Sequence, residues 1–89
     1  MRVARAGVDG RLAACAQVDG GVTSVYRWQG AVEQSAEWRV SFKTRAECVD
    51  RLWETVRAVH TYETPEWIVT PVLDGSPAYL EWLDGQVEP

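Results

Sequence analysis

Residues 22–43 alternate apolar and polar side chains twice over, on either side of Gln29-Gly30, and nothing else in the 89-residue chain limits its fold so tightly. Val22, Ser24, Tyr26 and Trp28 share one face of a first strand, against Thr23, Val25 and Arg27. In a second strand Ala36, Trp38, Val40 and Phe42 oppose Glu37, Arg39, Ser41 and Lys43. The pattern predicts a hairpin turning near Gln29-Gly30. Its second arm, residues 31–43, would span about 40 Å at about 3.3 Å per residue. A compact chain of this length has a radius of gyration of about 12 Å and is about 30 Å across. The arm therefore bends or reaches outside its own subunit. Unpaired strand edges invite pairing with another chain, so the hairpin is expected to be an oligomer contact. Tyr26, Trp28 and Trp38 are expected to pack there rather than stack on a ligand.

The remaining elements are shorter. Residues 1–12 carry Val3, Ala6 and Leu12 at loose helical spacing, but Gly7 and Gly10 each cost about 1 kcal/mol relative to alanine. This predicts a weak helix, followed by a strand over residues 13–18 and a turn at Asp19-Gly20-Gly21. From Arg45 to His60, Val49, Leu52, Trp53, Val56 and Val59 recur at helical spacing. Residues 67–72 are β-branched and aromatic and read as a strand, with Pro71 placing it at an edge or end. Ser76-Pro77 starts a short helix with Tyr79, Leu80, Trp82 and Leu83 on its apolar side. Residues 84–89 read as disordered. The whole, residues 1–89, is one domain. A domain this small buries only about 60% of its unfolded surface. Five tryptophans, three tyrosines and one phenylalanine on such a body suggest that some pack against another chain.

A formal charge of −4 argues against nucleic acid, whose affinity comes from Lys and Arg on phosphates. Cys15 and Cys48 form neither a disulfide framework nor a CxxC pattern, and read as free thiols in a reducing cytoplasm. With no signal-peptide core and no apolar run near 18 residues, the expected protein is soluble, with no membrane partner. There is no Ser-His-Asp order, nucleophile elbow, phosphate loop or HExxH, so an enzyme is not expected.

The densest chemistry lies in residues 60–66, which hold the single histidine, Tyr62, Glu63, Pro65 and Glu66. Lying between a helix and an apolar run, this is a polar connection, where sites tend to lie. His60 has two readings. It can ligate Cu or Zn with Cys15 or Cys48 and Glu63, or it can meet the free carbonyls and negative dipole at a helix end. Cys15 is a soft ligand for Cu(I) or plain apolar filler; Cys48 reads as core. Pro65 reads as structural.

Five ordered blocks resemble the CutA divalent-cation tolerance family over nearly the whole chain. They are residues 11–15, residues 23–30, Glu37 through Lys43-Thr44, Tyr62-Glu63 with Pro65-Glu66, and Tyr79-Leu80-x-Trp82. The resemblance implies an α+β, ferredoxin-like fold, β-α-β-β-α-β with a C-terminal helix, assembled as a homotrimer through long hairpins. It also implies a role in tolerance of copper or other divalent cations, the biochemical role being poorly defined in the family; direct binding of copper or another divalent cation, with no organic cofactor, is one reading of that role. The family begins with a strand ahead of the residue matching Met1, so the first strand is missing here. Either the start codon is placed too late, which is the favoured reading and which intact mass of the native protein tests, or the strand order adjusts, or another chain fills the gap. The family has a cysteine after two alanines, where Cys15 stands. The positions matching Lys43, Tyr62, Glu63, Glu66, Tyr79 and Trp82 line a cleft near a subunit boundary, suited to a small polar ligand; the alternative is a Lys to Glu pair that fixes the hairpin against the last helix. The metal reading rests on Cys15 and His60. A trimeric regulatory module holding a small anionic or nucleotide-like ligand in that cleft is the alternative from a different class.

Overall fold

The computed structural model describes residues 1–60 and 64–89. Among them, two helices and a hairpin form one layered unit, and a third helix closes its end: α1 (Arg2–Asp9), β1 (Cys15–Trp28), β2 (Ala31–Lys43), α2 (Val49–Val59) and α3 (Pro77–Gln86). A 3₁₀ turn, Ala46–Cys48, leads into α2.

The hairpin follows the alternation. Its antiparallel register runs from Trp28↔Ala31 at the tip to Cys15↔Lys43 at the base. Gln29 and Gly30 both have positive φ, 50° and 83°, which is the two-residue turn whose twist matches that of the flanking strands. At Asp19-Gly20-Gly21 the expected turn is absent, and β1 continues through a bulge between Asp19 and Val22. Gly21 takes φ +76°. The indole of Trp38 lies over Gly20, whose missing side chain makes room for it. The glycines are there for a bulge and a close approach, which local sequence does not distinguish from a reversal.

The bulge also turns the alternation over. Directly paired residues share a face. Val18 pairs with Val40, but Val22 pairs with Glu37, on the opposite face of β2. Ala16, Val18, Trp38, Val40 and Phe42 therefore share one face. Cys15, Gln17, Tyr26 and Trp28 share the other with Lys43.

The core lies under the first face. Leu52, Val56 and Ala13 are buried, with Val3, Leu12, Phe42 and Trp67 packed against them. Trp53 and Trp67 meet with ring centroids 5.0 Å apart. A second cluster, Ala14, Cys48, Leu83 and Val87, joins the hairpin base to α3, and places Cys48 in the core as read. Gly7 is buried in α1 because Phe42 and Leu52 press on it. A Cβ there would sit 2.6 Å from Phe42 Cε1 and 2.9 Å from Leu52 Cδ1. Gly7→Ala should thus lose stability despite gaining about 1 kcal/mol of helix propensity, since overpacking costs about 1–3 kcal/mol. The midpoint of urea unfolding measures the sign.

Two further expectations change. Residues 67–72 carry no strand assignment; the described sheet consists of β1 and β2 alone. β-branched composition favours a strand only where a neighbour supplies the ladder, and here Ile68, Val69 and Val72 are 73%, 55% and 65% exposed. Residues 84–89 are not a loose tail. α3 runs to Gln86, Val87 is buried, and Glu88 N–H donates to Arg11 O at 2.9 Å.

Beyond the bulge the hairpin leaves the body, and residues 25–34 are all exposed. The molecule extends over 45 × 26 × 20 Å, with a radius of gyration of 14.6 Å. A compact chain of this length would have about 12 Å. Of the two outcomes open to the long arm, projection is the one observed.

Candidate functional site

The hairpin base gathers the polar chemistry. Because Cys15 pairs with Lys43, thiol and ammonium stem from neighbouring positions on one face. Lys43 Nζ donates to Gln17 Oε1 at 2.5 Å, diagonally across the ladder. Cys15 Sγ and Tyr79 Oη lie 3.6 Å apart, with either able to donate. Trp82 follows Tyr79 at i+3, so the two rings meet on one side of α3, with centroids 5.6 Å apart and planes tilted by 39°. Both are about half-exposed, at 42% and 44%, and Cys15 is half-buried.

α3 can present these rings because its start is well defined. Ser76 is extended (φ −65°, ψ 136°), Pro77 opens the helix, and Leu80 N–H donates to Ser76 O at 3.1 Å. Proline at this position has no N–H to leave unpaired.

Electrostatics in the cluster are mild. The Cys15 hydrogen bond, then burial, then the thiolate charge of Cys15 push the Tyr79 phenol above its ordinary value of 10.0. The phenol is therefore neutral at physiological pH. A soft sulfur, a neutral phenol, a cation held by an amide and a tilted aromatic pair can meet a soft metal through sulfur or a small anion through the ammonium.

The sequence-derived residues divide as follows. Cys15, Lys43, Tyr79 and Trp82 come together. Glu66 is exposed on the connection that leads to Trp67. Tyr62 and Glu63 lie outside the described residues. His60 is the C-cap of α2, with extended backbone (φ −75°, ψ 143°), and its N–H donates to Val56 O at 2.9 Å. Among the described residues, no three His, Cys, Asp or Glu side chains are grouped as a metal centre would need. Sequence reasoning missed Gln17, the partner of Lys43. Its position two residues after Cys15 was the available signal, since strand neighbours at that spacing share a face.

The class of protein is thus an α+β chain with a projecting hairpin and a cluster of thiol, lysine and aromatic side chains at the hairpin base. Residues 1–86 match the CutA1 divalent ion tolerance protein family, and the chain belongs to that family. Protein CutA of Mus musculus is 44% identical over 81 residues, covering 91% of this chain and 46% of that protein. The divalent-cation tolerance protein CutA of Thermus thermophilus is 42% identical over 81 residues, 91% of this chain and 79% of the relative. The chain thus spans less than half of the mouse protein and most of the bacterial one. The solved structure of the divalent cation tolerance protein (Cut A1) from Thermus thermophilus superposes with a TM-score of 0.94 at 39% identity, covering 98% of this chain and 84% of that one. The PII-like protein CutA from Nostoc sp. PCC 7120, in apo form, superposes with a TM-score of 0.90 at 29% identity, covering 98% and 85%.

Proposed function

We propose that this protein is a cytoplasmic homotrimer, ferredoxin-like in each subunit, that serves tolerance of divalent cations by binding copper or a similar ion directly. The observation that most supports this is the match over residues 1–86 to a family named for divalent ion tolerance. Cys15 and His60 would supply the protein donors, soft sulfur and imidazole, both of which suit copper. The Cys15 thiol is half-buried at the hairpin base. When bound, the ion would supply a positive charge at the hairpin base. This chain's part is to present sulfur there and to limit its approach with the Tyr79 and Trp82 rings.

Assembly is supported by the projecting hairpin and its uncovered aromatics. Light scattering at micromolar concentration should give three times the protomer mass; a stable monomer would overturn the trimer.

The second reading, a small anionic or nucleotide-like ligand in a cleft between subunits, is favoured by Lys43 beside an aromatic pair and by likeness to a protein described as PII-like. Isothermal titration separates the two. Cys15→Ser and His60→Ala should each weaken Cu(II) binding by at least about tenfold, the cost of disturbing even the outer shell of a metal site. They should leave nucleotide binding unchanged. Lys43→Ala should abolish anion binding and spare copper. Unchanged copper affinity in both of the first variants would sink the metal site.

A further inference from the structure

The end of the chain is anchored better than the helix it follows. α3 has Leu83 as its buried side chain and otherwise stands mostly in solvent. Immediately beyond it, Val87 is 5% exposed and packs with Ala14, Cys48 and Leu83. Glu88 is held from two sides. Its N–H donates to Arg11 O at 2.9 Å, and its carbonyl accepts from Arg51 Nη2 at 2.8 Å. Its carboxylate lies 3.2 Å from Arg11 Nε, and Arg11 Nη2 also donates to Gly85 O at 3.3 Å. Arg11 makes these contacts from a left-handed backbone, φ +58°, a region that disfavours residues with a Cβ. Such an outlier persists only where its surroundings fix it, and here Leu12 N–H and Ala13 N–H both return to Gly7 O.

We propose that residues 87–88 are a latch that holds α3 across both cysteines, and that its release uncovers Cys15 and Cys48 together in one local opening. The covering is specific. Cys48 is 0% exposed, and Leu83 and Val87 belong to the cluster that encloses it. Cys15 is met by Tyr79 from the first turn of the same helix. With so little of α3 buried, its docking depends on the latch, and elements with few buried contacts open well below the global unfolding free energy. A chain whose thiols respond together to thiol-reactive compounds, while its core stays folded, is the consequence.

The test is labelling with an aromatic disulfide, followed by release of the coloured thiolate, on the full chain carrying either Cys15→Ser or Cys48→Ser. Arg51→Ala removes a hydrogen bond from a charged donor and should speed labelling of both thiols about tenfold. Val87→Ala should do the same by a separate route. Arg57→Ala, on the exposed side of α2 and paired with Glu54, should leave both rates unchanged. In the native chain the Cys48 rate should depend weakly on urea below the unfolding transition. A Cys48 rate whose urea dependence equals that of global unfolding would overturn the latch. So would a Cys48 rate that rises in Arg51→Ala while that of Cys15 does not, or rates in Arg51→Ala and Val87→Ala equal to the native ones.

Discussion

Replacing Leu52 by alanine is expected to lower the unfolding free energy by about 3 kcal/mol, within the range for emptying a leucine site in a packed core. Leu52 is 1% exposed and belongs to the buried cluster with Ala13 and Val56. Its Cδ1 reaches the space above Gly7, and Phe42 closes the same space from β2. One side chain thus joins α1, the sheet and α2. The site is hard to collapse, because α1 already lies as close as Gly7 permits, so a cavity should remain. For a small domain of about 5–15 kcal/mol total stability the loss is a large fraction. Urea unfolding at fixed protomer concentration measures it, the concentration being held because assembly stabilises by mass action. A Leu52→Ala chain within about 0.5 kcal/mol of the native one would place the core elsewhere.

The second large effect concerns assembly. Trp28→Asp combined with Trp38→Asp should convert the proposed trimer to monomers at micromolar concentration. Trp38 is 74% exposed and Trp28 is 46% exposed. Because the bulge separates their faces, the two rings present apolar surface on opposite sides of the hairpin. Tryptophans at the centre of an interface are worth at least about 2 kcal/mol each, and an unpaired carboxylate buried in their place adds a desolvation cost. Light scattering should give the protomer mass, with the circular dichroism of α2 retained. An unchanged assembly mass would show that the outer hairpin is not the contact.

What could be read in the sequence was what repeats locally. The alternation in residues 22–43 carried the hairpin and its turn, and the spacing of Leu52 and Val56 carried the core face of α2. What was misread depended on partners distant in the chain. Gly20-Gly21 is locally indistinguishable from a turn, and the difference lies in Trp38 across the sheet. Counting back from Trp28↔Ala31 without a bulge would put Thr44 opposite Cys15; the extra residue puts Lys43 there instead. Four of the residues singled out through family resemblance, Cys15, Lys43, Tyr79 and Trp82, come together, but their arrangement was not legible in the sequence. The link between Cys15 and Tyr79 joins positions with no common period, and Gln17 gains its role only from the shifted register. The end of the chain was misjudged for a similar reason. Residues 84–89 look polar and loose, and their order comes from Arg11, just beyond α1, and from Arg51 on α2.

The run at residues 67–73 bears on how the subunit behaves in a crowded solution. Trp67-Ile68-Val69-Thr70-Pro71-Val72-Leu73 carries no charge, and Leu73 is 91% exposed. Such a window favours runaway stacking of strands between copies. Three residues act against it: Glu66 and Asp74 flank the run with negative charge, and Pro71 withholds a backbone donor in its middle. They are expected to act as gatekeepers in the colloidal sense, keeping a newly made subunit dispersed.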